Sequence, residues 1–169
     1  MNMKNKLLPL SIVTALFLIG SVASANQMSS HAGHESVTGK AAGSSAADVV
    51  KHKACHQCGM DREKFAHSRI LITNSDGSTV GVCSIHCAVT ELKANKGRAV
   101  KAIEVADLNT QKLLVAEKAT WVIGGSRNGV MTQTPKWAFA QKYDAAAFVK
   151  KNGGKLATYK EALALAEKE

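Results

Sequence analysis

The chain has 169 residues, and its 22 Lys and Arg outweigh 13 Asp and Glu to give a formal net charge of +9. Only two Trp, two Tyr and four Phe accompany that charge. No stripe of interleaved aromatic and basic side chains is present, so a nucleic-acid-binding reading has no support. The excess charge fits a solvated lysine-rich face, an acidic docking partner, or peripheral contact with anionic lipid.

Residues 1–25 have the form of a secretory leader. Lys4 and Lys6 supply a basic start, an apolar stretch follows, and Ala23-Ser24-Ala25 is a small-residue cleavage site. The apolar run is short for a membrane span and contains Pro9. No cysteine precedes Cys55, so no lipidation box is visible. The expected location is periplasmic, where unprotected thiols tend to oxidise. Residues 26–51 are rich in Ser, Ala, Gly and His and read as a flexible linker. Met28, His31 and His34 in this stretch could bind copper weakly.

Cysteine chemistry dominates the next segment. Cys55-His56-Gln57-Cys58-Gly59-Met60 is followed by Cys83-Ser84-Ile85-His86-Cys87, and these two clusters hold all four cysteines of the chain. His52, His56 and His86 lie within three residues of a cysteine. Thiolate, thioether and imidazole donors suit Cu(I) and zinc rather than calcium or magnesium. Gly59 permits a tight turn that aims Cys55 and Cys58 at one point. Between the clusters, residues 69–74 and 79–83 with Asp76-Gly77 between them predict a hairpin. Ser84 is a candidate N-cap, and Ile85, Ala88, Val89 and Leu92 follow at helical spacing up to Gly97. That places Cys87 in the first helical turn, where free N–H groups and the macrodipole favour a thiolate. One or two disulfides stapling an exported domain are the plain alternative.

After this helix, strands are predicted at residues 100–105, 112–115 and 120–123. Asp144 is read as capping a short helix that stops at Gly153-Gly154. Thr158-Tyr159-Lys160-Glu161 is a capping-box signature opening a last helix, with Ala162, Leu163 and Ala166 inward. Strands and helices alternate without long βαβ spacing, which argues an α+β fold. The glycine-rich loop from Gly124 to Gly129 matches no phosphate-binding pattern. Met131 follows it, and a methionine there is core filler or ligand. Cys-x-x-Cys-Gly is neither a covalent haem motif nor a thioredoxin-like helix start, and no hydrolase motif occurs.

Cys55-x-x-Cys58-Gly59-Met60 and Gly81-Val82-Cys83-Ser84-x-x-Cys87 resemble the small YHS and TRASH metal-binding modules. Together with Trp121-Val122-Ile123-Gly124, Gly129-Val130-Met131, Ala138-Phe139-Ala140, Phe148 and Gly153-Gly154, they resemble NosL, the nitrous oxide reductase accessory copper protein. That resemblance implies two small ββαβ-like halves around a shared site, here residues 52–107 and 108–169. It implies a Cu(I) metallochaperone, not an enzyme, that delivers copper toward a nitrous oxide reductase-type client or a membrane copper transport complex. It marks Cys58, Met60 and Met131 as ligand candidates, beside Cys55, Cys83, Cys87 and His86 from the clusters themselves. Two rivals stand: a closed four-thiolate zinc module acting as an interaction domain, and a thiol-disulfide or sulfur-handling protein using Cys55 and Cys58.

Overall fold

In the computed structural model the described residues are 46–169. The leader, most of the linker, and Met28, His31 and His34 lie outside them. Two antiparallel sheets and four α-helices build the described chain, an α+β fold.

The first sheet grows from the predicted hairpin. Strand β1 (Ile70–Asn74) alternates buried and half-buried residues, as a strand with one face on a core should. It pairs with β2 (Thr79–Val82) on one side, Ile70 facing Val82. On the other side it pairs with β3 (Val100–Ala106), Ile70 facing Val105. Strand β4 (Leu113–Val115) adds to β3, giving the order β2-β1-β3-β4. The second sheet repeats the pattern. Strand β5 (Thr120–Ile123) is central, between β6 (Lys136–Phe139) and β7 (Lys155–Ala157). In each half two strands, a helix and a third strand follow one another, and the first strand lies in the middle. The ββαβ-like halves expected from the family resemblance are therefore present.

The helices keep most of their expected ends. Helix α1 (Ala47–Lys51) falls in the stretch expected as linker; it buries Val49 and carries Asp48 inward. Helix α2 (Ile85–Ala94) starts at Ser84, whose side chain accepts from the Cys87 N–H. It ends at Ala94, short of Gly97, with Asn95 as its C-cap. Helix α3 (Lys142–Asn152) is capped by Gln141 without a side-chain bond, so Asp144 lies inside the first turn and does not cap it. There its carboxylate still meets the positive end of the helix dipole. Helix α4 (Tyr159–Ala166) carries the full capping box between Thr158 and Glu161. No helix among the described residues is long and apolar enough to cross a membrane.

A single hydrophobic cluster runs through both halves, from Ile70, Ile72 and Val82 to Trp121, Trp137 and Phe139. Backbone and side chain stitch the seam. Leu108 N–H donates to Ala138 O at 2.8 Å, and the Asp107 carboxylate accepts from Ala140 N–H at 2.8 Å. The four cysteines lie at one edge of this core, where the end of β2 and the start of α2 meet the first knuckle.

Candidate metal centre

Local structure brings each sulfur in separately. The first knuckle is held by Cys55 N–H to Met60 O at 2.7 Å and Gly59 N–H to Cys55 O at 2.9 Å. Gly59 turns it at φ 74°, a left-handed value that costs glycine nothing. His56 N–H then donates to Gly81 O on β2 at 3.0 Å, docking the knuckle on the sheet. Cys83 follows Val82, the last residue of β2, one residue short of the expected strand end, and the Ser84 cap sets Cys87 in the first turn of α2.

As a result all four sulfurs lie within 4.8 Å of one another. Cys58 and Cys83 are 3.5 Å apart, and both Cys83–Cys87 and Cys87–Cys58 are 3.7 Å apart. All four are free thiols, since a disulfide would need about 2.05 Å. Four sulfurs bound to one ion at about 2.3 Å would stand about 3.8 Å apart, so the group fits a metal with little rearrangement. Cys55, Cys83 and Cys87 are at most 2% exposed, whereas Cys58 closes the group on the solvent side.

The thiols divide the proton unequally. Hydrogen bonds from the Cys83 and Cys87 side chains hold the Cys55 thiol far below its ordinary value, outweighing burial. As donors to Cys55, both partners are pushed up, Cys87 to about 12, and burial adds to each. Sequence reasoning placed the favoured thiolate on Cys87 at the helix start. In the folded cluster the hydrogen bonds that the Cys83 and Cys87 side chains donate to Cys55 favour the thiolate there instead, against its burial.

The other proposed ligands stand differently. Met60 is partly buried against the core next to the knuckle. His86 is outside the four-sulfur group, and its Nδ1 is buried without a hydrogen-bond partner. Met131 is 45% exposed with φ 50°, an uncommon backbone state for a long side chain. Its neighbours Val130 and Thr132 line a small cavity together with Ser84 and Ile85, so its loop comes down beside the start of α2. A cleft of about 630 Å³ opens between α1, β4 and the turn at Ala66–Ser68 and touches none of the cysteines.

Four charged residues around the site escaped the sequence reading. Arg62 is fully buried and donates to the Val82, Ile70 and His52 carbonyls and to Asp48. It thereby fixes the strand end that presents Cys83. Gly81 makes room for it, since a Cβ there would stand 2.6 Å from the guanidinium carbon. Asp48 joins Arg62 to Arg69 at 2.9 and 2.8 Å. Glu91 on α2 is 4% exposed and accepts from His56 Nδ1–H at 2.7 Å, from the Gln57 amide, and from the Asn95 amide at 2.8 Å. Its sequence signal was its spacing: it follows Cys87 by four residues, so both share one helix face.

The NosL family profile matches residues 46–164 of the chain. Among solved structures, the crystal structure of the copper chaperone NosL from Shewanella denitrificans superposes with a TM-score of 0.52. The two chains are 25% identical, and the match covers 64% of this chain and 87% of that one. No protein of curated function matches the sequence.

Proposed function

The chain belongs to the NosL family, and from that premise we propose that it is a periplasmic metallochaperone. Its cargo is Cu(I), and it carries no catalytic machinery. In this reading residues 1–25 export the chain, and α1 at the end of the expected linker already belongs to the folded body. The half at 52–107 holds copper, and the half at 108–169 braces that site and brings Met131 toward it. The recipient is a copper-accepting client of the nitrous oxide reductase type, or a membrane copper transport complex that serves one.

The asymmetry of the sulfur group carries this reading: three cysteines are buried, and Cys58 is open to solvent. A chaperone must hold its ion against water and still let a partner's ligand attack. Buried Cys55, Cys83 and Cys87 supply the hold, and Cys58 with Met60 two residues on supplies the exit. Cu(I) is satisfied by two or three soft donors, so one sulfur can leave without emptying the site. A second reading has one observation in its favour. The sulfur separations of 3.5 and 3.7 Å lie close to the edges of a closed zinc tetrathiolate.

Competition separates the two. Anaerobically reduced protein, titrated against a chromophoric Cu(I) chelator in excess Zn(II), should take up Cu(I) and release zinc. The Met60→Leu variant should keep its melting temperature, because that swap conserves volume and costs under about 1.5 kcal/mol. It should nonetheless bind Cu(I) more weakly. Stoichiometric zinc that survives excess Cu(I), with Met60→Leu indistinguishable from wild type, would overturn the copper reading in favour of the zinc module.

A further inference from the structure

We propose that Glu91 is a positioning residue for the metal centre: through His56 and Gln57 it latches the first knuckle to α2 and so sets where Cys58 stands. The inference rests on the four cysteines being a metal site, whichever soft ion occupies it.

The argument starts from the knuckle's own anchors. Its backbone bonds fall on Cys55, His56 and Gly59. Cys58 is the exposed member of the cluster, yet its sulfur must stay 3.5 Å from Cys83 and 3.7 Å from Cys87 for the group to close. The only two residues between Cys55 and Cys58 are His56 and Gln57. Both side chains reach across to the same carboxylate oxygen of Glu91. The other oxygen is occupied by the Asn95 amide one turn further along α2. A carboxylate accepts on both oxygens and donates from neither, so one group can hold all three donors.

The placement on α2 gives the latch its effect. Glu91 and Cys87 share one face of the helix, a turn apart. Fastening His56 and Gln57 to Glu91 therefore fixes the knuckle relative to the very element that presents Cys87. No metal is needed for this. It orders the site beforehand, as outer hydrogen bonds to a metal's ligands commonly do. A carboxylate 4% exposed, held by two side-chain amides and an imidazole, is costly to keep. A merely apolar helix face would do without it.

Cobalt(II) reads the arrangement independently of copper, because sulfur-to-cobalt charge-transfer absorption grows with the number of bound thiolates. Wild-type protein loaded anaerobically with Co(II) should show the four-thiolate intensity. Glu91→Leu, and separately the double variant His56→Ala/Gln57→Ala, should lose about one quarter of it, one sulfur of four. Each should also release the ion about tenfold faster or more. Glu91→Gln keeps one acceptor oxygen for His56 and Gln57 and should restore the wild-type spectrum, which a merely structural loss would not. Should Glu91→Leu fail to fold, the double variant decides alone, since it leaves the helix sequence untouched. Full four-thiolate intensity in the latch-removed proteins would overturn the inference and leave the metal centre standing. A wild type with no thiolate band would overturn both.

Discussion

Cys58 and Cys83 carry the same thiol in opposite settings, and this separates holding metal from holding the fold. Cys83 is 0% exposed within the core cluster, and Cys58 is exposed. Serine at either position removes a soft ligand, so both variants should lose metal affinity. Their effect on the metal-free fold should differ. At position 83 a hydroxyl replaces a thiol in an apolar surrounding and should cost about 1–3 kcal/mol. At position 58 the hydroxyl meets water, and the change should stay within about 0.5 kcal/mol. Urea unfolding of both apo variants, read beside their Cu(I) affinities, checks this. Equal losses of stability would mean that Cys58 is as much a core residue as Cys83.

At the scale of elements, α1 depends on a single carboxylate. Burial alone would raise the Asp48 carboxyl, but the Arg69 and Arg62 guanidiniums outweigh it and hold it below its ordinary 3.8. A folded value below the unfolded one stabilises the protein above that pH and ceases to do so as pH falls through it. Asp48→Asn leaves two buried arginines unpaired and should cost about 3–5 kcal/mol near neutral pH. The gap to wild type should narrow as pH drops below about 4, which urea midpoints at successive pH values would reveal; a gap independent of pH would mean the ion pair contributes nothing. This network also shows what the sequence could not display. The β1–β2 hairpin, the Ser84 cap and the Thr158 capping box are local: their partners lie within a few residues, so spacing alone exposes them. Asp48 meets Arg62 and Arg69 across 14 and 21 residues, and His56 meets Glu91 across 35. Strand β6 went unseen because all four of its residues are buried, which leaves no alternation. Its Lys136 is buried, with its ammonium on Glu169 and Thr132. The cysteines were legible because their chemistry is rare, and their convergence followed from a hairpin and a helix that were themselves legible.

For the whole molecule, the question is whether metal in one half is felt in the other. The sulfur group belongs to the first half, while both tryptophans of the chain, Trp121 on β5 and Trp137 on β6, belong to the second. They are 1% exposed and lie in the same hydrophobic cluster as Cys55, Cys83 and Cys87. The imidazole of His67, from the turn just before β1, stands 5.7 Å from the Trp137 ring. Leu108 and Asp107 bond across the seam to Ala138 and Ala140. A chain with one such core should unfold in one step. Metal bound only to the folded form then stabilises everything that unfolds with the site. At a free concentration about 100 times Kd this amounts to about 2.7 kcal/mol, or roughly 10 °C in melting temperature for a domain of this size. Tryptophan fluorescence should therefore report a raised midpoint on loading, although neither indole is a ligand, and the shift should match that seen by far-UV dichroism. The same shift should vanish when the thiols are oxidised, because thiolates bind the ion and disulfides do not. A tryptophan midpoint that ignores the metal while dichroism registers it would show that the halves unfold separately. The second half would then be a passenger to the site and not its brace.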